Sequence, residues 1–194
     1  MASRFGFEAP SWDRIYGMLL DLTDQIRVEG FEPDIIVGIS RGGLIPARVL
    51  SDLLENPHIT SVGAEYYVGF CETKSEPLLT QQSLVNVFDK RVLLVDDVVD
   101  TGKSVVLIRD HLYKQGLREI RILTLYCKPW STVQPDFCSR KTSDWIVFPW
   151  EIRETLTKLA KKGTESNGSV ETAANRLVRS GIDKALVARL LKEQ

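Results

Sequence analysis

The chain reads as an α/β protein with a mostly parallel, twisted sheet flanked by helices, and three observations predict it. Short runs rich in Val, Ile and Leu stand at Asp34–Ile39, Val92–Asp96 and Glu119–Tyr126. Stretches of helical apolar spacing alternate with them. The first two runs end in turns rich in Gly, Ser, Asp and Thr, each leading into a helical pattern. Near-continuous apolar runs are the mark of strands covered on both faces. Their alternation with helices calls for right-handed parallel crossovers.

Each element follows from local chemistry. Ser11 reads as an N-cap, Trp12, Ile15, Leu19, Leu22 and Ile26 recur at helical spacing, and Gly30 marks the stop. Asp34–Ile39 is a buried strand, Ser40–Gly43 a tight turn and Leu44–Leu54 a helix, with Pro46 tolerable only near its first turn. Ile59–Val68 is a strand. Gly69–Gln82 is polar and irregular, a candidate mobile hairpin, and Ser83–Phe88 returns as a strand. Val92–Asp96 is the most apolar strand, Ser104–Gln115 a helix closed by Gly116, and Glu119–Tyr126 a further strand. Lys128-Pro129 opens a loop, and Asp144–Phe148 is a last short strand. Ile152–Lys162 is helical, residues 163–169 form a linker by composition, and Glu171–Arg179 and Lys184–Lys192 are short amphipathic helices around Ser180-Gly181.

Composition bounds the function. The chain has 194 residues, 43% hydrophobic and 26% charged, enough for one α/β domain with a small appendage. A net charge of −1 and the lack of a long basic stripe argue against nucleic acid as the main partner. Helix pairs with a Gly turn are common, so the C-terminal pair does not by itself indicate a DNA reader. Residues 1–10 do not read as a signal peptide, and no apolar run approaches the roughly 20 residues of a membrane span. Cys71, Cys127 and Cys138 are unevenly spaced and read as reduced thiols of a cytoplasmic protein. His58 and His111 are the only histidines, which weighs against a His-based triad or a His-rich metal site.

Two constellations carry chemistry. In Val95-Asp96-Asp97-Val98-Val99-Asp100-Thr101-Gly102-Lys103-Ser104, an apolar strand runs into paired acids, a third acid and a small-residue turn before a helix. Adjacent carboxylates at a strand end cost free energy unless cations or hydroxyl donors meet them. Ribose hydroxyls are such donors, and Mg²⁺ accepts oxygen ligands while retaining waters. Thr101 to Ser104 offer amides and hydroxyls at a helix N-terminus, where a phosphate is favoured. A nucleotide-triphosphate P-loop is excluded, because it needs glycine five positions before Gly102, where Asp97 stands. The second constellation, Ser40-Arg41-Gly42-Gly43-Leu44, offers exposed amides and an Arg fork that matches two phosphate oxygens.

The first segment resembles the phosphoribosyl-pyrophosphate (PRPP) signature of type I phosphoribosyltransferases, and the second resembles that family's pyrophosphate loop. Lys128-Pro129 and Asp144–Glu151 are similar to the base-binding segments of xanthine-guanine phosphoribosyltransferase, and the likeness covers about residues 34–151. The resemblance implies the type I phosphoribosyltransferase fold over residues 1–162, with a hood at about 59–88 and 128–151, and a C-terminal helical extension at 163–194. It implies that Asp96 and Asp97 meet the ribose hydroxyls and, directly or through water, Mg²⁺. Asp100 would exchange a proton with N7 of the purine, and Thr101, Gly102, Lys103 and Ser104 would wrap the 5-phosphate. Ser40, Arg41 and Gly42 would hold pyrophosphate, and Lys128 would donate to a purine 6-oxo oxygen. Trp145 and Ile146 would lie against the base; read from the residues alone, Trp150 is a core residue and Glu151 a cap of the next helix. The residues 67–82 would close over the reacting centre. The implied protein is a Mg²⁺-dependent purine phosphoribosyltransferase of purine salvage, a homodimer or homotetramer. It would convert guanine, hypoxanthine or xanthine and PRPP into the nucleoside monophosphate and pyrophosphate. The alternatives are an enzyme for adenine or another nucleobase, or a non-catalytic regulator that senses PRPP.

Overall fold

Six strands form the main sheet, in the order β4-β3-β2-β5-β6-β7. The computed structural model describes residues 6–66, 77–81, 85–165 and 170–192. Two compact units divide the chain: residues 16–142, and residues 143–194 together with the first 15.

The larger unit holds the sheet. Its strands are β2 (Ile35–Ser40), β3 (Ile59–Tyr66), β4 (Pro77–Gln81), β5 (Arg91–Val99), β6 (Glu119–Cys127) and β7 (Phe137–Lys141). All neighbouring pairs are parallel except β3 with β4. The helices α2 (Leu44–Leu53) and α3 (Lys103–Lys114) are crossovers, and α1 (Trp12–Val28) precedes β2. Val37, Ile39, Val62, Leu94 and Ile122 on one sheet face pack with Val105, Ile108 and Leu112 of α3. Ile36, Leu93, Val95 and Leu123, which alternate with them, are equally buried. That double burial is why the strands read as continuous apolar runs rather than as alternating ones.

The structure revises the reading of the strands at three places. The return strand predicted at Ser83–Phe88 lies instead at Pro77–Gln81; residues 85–88 are not a strand, and 82–84 lie outside the described residues. The predicted irregular segment mostly falls on 67–76, also outside them. β7 was not foreseen, because only Phe137 of Phe-Cys-Ser-Arg-Lys is buried and an edge strand needs no apolar run. Residues 144–148 do not extend the main sheet: β8 (Trp145–Ile146) pairs with β1 (Phe7–Glu8) in a two-stranded sheet of its own.

The smaller unit contains that pair and three helices, α4 (Ile152–Glu165), α5 (Val170–Arg179) and α6 (Lys184–Lys192). Val147, Leu156, Ala174, Leu177, Ile182 and Val187 form its core, so the C-terminal helices share one apolar cluster with the segment before them. α4 runs through Gly163 to Glu165, three residues into the stretch whose composition predicts a linker. Gly181, at φ +102°, turns the chain between α5 and α6. Among the described residues no helix is long and apolar enough to cross a membrane.

Candidate functional site

The site is built where β2 and β5 lie side by side. Their paired register runs from Ile35 with Val92 to Gly38 with Val95. From β2 the chain crosses to β3 on one side, while β5 borders β2 on the other. That divergence leaves a crevice outside the carboxyl ends of the strands, the place where open α/β sheets bind ligands. Both constellations begin there, two residues past Gly38 and one past Val95.

The loop from β2 packs hard onto β5. The Ser40–Arg41 peptide is cis. The Gly43 N–H donates to the Ile39 carbonyl at 2.8 Å, and the Leu44 N–H to the Arg41 carbonyl at 3.2 Å. A Cβ on Gly43 would stand 2.2 Å from the Val95 carbonyl oxygen, and one on Gly42 would stand 2.2 to 2.4 Å from all three carboxylate atoms of Asp97. Both positions therefore need glycine for close approach. Arg41 is exposed and Ser40 half-buried.

The acids are arranged differently from the sequence expectation. β5 does not stop at Asp96; it runs to Val99 and stays paired with β6 as far as Cys127. Successive side chains of a strand face opposite ways. Asp97 is accordingly buried against Gly42, while Asp96 lines a cavity. The Asp97 N–H donates to Asp96 Oδ1 at 3.0 Å. Burial of the Asp96 carboxyl, and then the Asp97 charge beside it, push Asp96 well above the usual carboxylate range. Such a group favours a proton, a hydroxyl donor or a cation.

The cavity, about 340 Å³, is lined by Asp96, Asp100, Thr101, Gly102, Lys103 and Ser104, with three valines. It gathers all the residues expected to meet the ribose, the 5-phosphate and purine N7, Asp97 excepted. Ser40, Arg41 and Gly42 are not in its wall; Gly42 lies against Asp97, the next residue after Asp96. Gly102 is the N-cap of α3, in the left-handed region at φ +88°, and no side chain caps the helix there. The Lys103 N–H donates to Thr101 Oγ1 at 3.4 Å.

The loop that Lys128-Pro129 opens covers this turn. The Lys128 N–H donates to the Val99 carbonyl at 2.9 Å, and the Thr132 hydroxyl and N–H both donate to the Thr101 carbonyl, at 2.9 and 3.2 Å. Val133 fills the space beside Gly102. The Trp130 indole N–H donates to Asp100 Oδ1 at 2.7 Å, and Lys128 Nζ stands 5.7 Å from the Trp130 ring centroid. Lys128 itself is buried, 8% exposed. Of these residues only Lys128 was foreseen. The signal in the sequence was a Trp two residues beyond it, which the structure leaves 48% exposed.

A larger cavity, about 650 Å³, lies at the opposite end of the strands, lined among others by Arg27, Asp34, Asn56, His58 and Lys90. It contains no residue of either constellation. The smaller unit holds the other expected base contacts. Trp145 is 50% exposed and Ile146 buried. The Trp145 N–H donates to the Gly6 carbonyl at 3.0 Å. Glu151 does begin α4: its carbonyl accepts the Thr155 N–H, and its carboxylate the Phe148 N–H at 3.4 Å. Trp150 stacks on Phe148, centroids 4.8 Å apart, and tilts against Trp12.

A parallel sheet with a switch point, an acidic strand end and two amide-rich helix entries defines the α/β proteins that hold phosphorylated ligands at their carboxyl edge. Comparisons make this specific. The phosphoribosyl transferase domain model matches residues 11–155. A xanthine-guanine phosphoribosyltransferase of Cereibacter sphaeroides is 30% identical over 149 residues, spanning 73% of this chain and 85% of that protein. The crystal structure of a purine phosphoribosyltransferase from Pyrococcus horikoshii superposes with a TM-score of 0.68 at 35% identity, covering 74% of this chain and 93% of the other. A Neisseria gonorrhoeae protein solved with bound ppGpp superposes with a TM-score of 0.67 at 25% identity, over 82% and 98% of the two chains. The chain belongs to the phosphoribosyltransferase family.

Proposed function

We propose that this protein is a purine phosphoribosyltransferase. It transfers the 5-phosphoribosyl group of PRPP to a 6-oxopurine and releases pyrophosphate. The observation that carries the reading is the convergence of the Ser40–Gly43 loop on the acidic end of β5, through Gly42 and Asp97, beside a cavity of about 340 Å³. The purine assignment is supported by the relatives named for xanthine, guanine or purine, and by Lys128, whose ammonium can donate to a 6-oxo oxygen but not usefully to an amino group.

In this reading the Thr101–Ser104 turn binds the 5-phosphate and Asp96 accepts from the ribose hydroxyls, while Asp97 lies behind it against Gly42. Arg41 and the Ser40–Gly42 amides stabilise the charge that develops on the leaving group. N9 of the base forms its bond to the anomeric carbon as the bond to pyrophosphate breaks, with the electron pair leaving on pyrophosphate. The N7 proton passes to the Asp100 carboxylate. No covalent nucleophile on the protein is needed.

The donor set fits Mg²⁺. Among the described residues no three His, Cys, Asp or Glu side chains cluster as a metal site. Asp96 lines the cavity while Asp97 lies against Gly42, so a cation there would meet Asp96 directly and Asp97 only through water, taking its remaining ligands from substrate oxygens and water, the habit of Mg²⁺. When bound, it would neutralise charge on the pyrophosphate group. The reading extends to a pairing of subunits, to the cytoplasm as its place, and to residues 163–194 as an extension beyond the transferase domain. Trp145 and Ile146 would contact the base.

The test is direct. Purified protein is incubated with PRPP, Mg²⁺ and guanine, hypoxanthine, xanthine or adenine in separate reactions, and nucleotide is measured. Turnover with one or more 6-oxopurines, abolished by chelator, is expected. No turnover with any purine refutes the proposal, and preference for adenine refutes the role of Lys128.

A further inference from the structure

We infer that Trp130 is a positioning residue that fixes Asp100 and Lys128 together. The inference rests on the reading above, in which Asp100 takes the N7 proton and Lys128 meets the 6-oxo oxygen of the same purine. N7 and the 6-oxo oxygen lie on one edge of that ring system, so the two side chains must be held in a constant relation to each other. Trp130 touches both: its indole N–H donates to Asp100 Oδ1 at 2.7 Å, and Lys128 Nζ stands 5.7 Å from its ring centroid.

Each contact has a physical consequence. The indole is a donor only, so its bond fixes one carboxylate oxygen of Asp100 and leaves the second for the base. A bond from N–H to a carboxylate is short and strong, which suits the 2.7 Å spacing. The ring lies within the distance at which an ammonium is attracted to an aromatic face. Lys128 is buried, so its cation benefits from that contact more than a solvated lysine would. Trp130 itself is 48% exposed, an unusual state for a residue whose only task is to fill a core. The loop cannot drift, because Thr132 donates to the Thr101 carbonyl and the Lys128 amide to the Val99 carbonyl. The Trp thus joins two rigid points rather than swinging as a loop tip.

Two variants separate the two contacts. Trp130→Phe removes the N–H and keeps an aromatic face, whereas Trp130→Ala removes both. With guanine or hypoxanthine, Trp130→Phe is expected to lower kcat about tenfold, while KM for PRPP stays within about twofold. Trp130→Ala should in addition raise KM for the base several-fold. In an Asp100→Ala background Trp130→Phe should cost little more, because the partner is already gone. A wild-type kcat in Trp130→Phe, or full additivity with Asp100→Ala, overturns the inference. A second readout does not depend on turnover. Among the indole N–H resonances of the free protein, the one lost in Trp130→Phe should shift in Asp100→Ala while the others stay. An unmoved signal also overturns the inference. A protein inactive on every purine, with the signal responding as expected, refutes the transferase reading and leaves only the Trp130–Asp100 bond standing, so the two failures are told apart.

Discussion

The Asp97 carboxylate lies against the α-carbon of Gly42, so closely that a methyl group there would stand 2.2 Å from Oδ2. The loop that follows β2 and the acidic end of β5 are therefore one packed structure. Gly42 is not in the left-handed region, so a side chain there is opposed by contact alone. Gly42→Ala should fold, displace Asp97 and weaken PRPP binding by roughly tenfold or more, an effect of the size that misplacing a substrate-positioning group produces. Titration of PRPP by calorimetry checks this; unchanged affinity would show that the contact has no bearing on the site.

Asp96 carries a second prediction. Its native carboxyl titrates well above the ordinary range because of burial and the charge of Asp97. Between the ordinary carboxylate range and the raised native value, the native state binds more protons than the unfolded chain. Stability contributed by this group is therefore lost as pH rises through that window, and the penalty is complete above it. Asp96→Asn should melt higher than the wild type at pH 8 without divalent cations, with the difference shrinking toward pH 4, while transferase activity falls. Thermal melts at the two pH values decide the matter: a difference independent of pH would contradict the assignment.

Asp100 faces the cavity and is fixed on one oxygen by Trp130. Asp100→Asn keeps the shape and removes the proposed base. Its kcat should fall by roughly 10²-fold, the scale of a lost general base, with little change in PRPP affinity. Equal losses in kcat and affinity would mean that Asp100 only binds.

The C-terminal helices offer a stability test. Leu177 of α5 is fully buried among Val147, Leu156 and Ile182. Leu177→Ala should destabilise the smaller unit by about 2–5 kcal/mol, as cavity-forming substitutions do. Denaturant unfolding followed by Trp fluorescence measures it. A loss below about 1 kcal/mol would mean that these helices are not held by that core.

Much of the site was legible because its parts are contiguous. The 96–104 stretch and the 40–44 stretch each encode a strand end, a turn and a helix start within a few residues, and turn chemistry is local. Helix α1 was equally plain from its apolar spacing and the Gly30 stop. The boundaries were less so. Val98 and Val99 continue β5 past two acids, because pairing with β6 as far as Cys127 supplies the backbone bonds. The short, polar β7 exists only because β6 offers an edge to it.

Residue types in order thus determined the class of fold and the two strand-to-helix turns at 40–44 and 100–104, since periodicity and backbone preference act between near neighbours. What the chain order could not reveal was that Asp97 turns to Gly42 while Asp96 turns to the cavity, or that Trp130 reaches back 30 residues to Asp100. Those relations depend on which strands lie side by side and how far each ladder extends. They are set by the burial of distant apolar faces against one another, and the tertiary structure alone decides them.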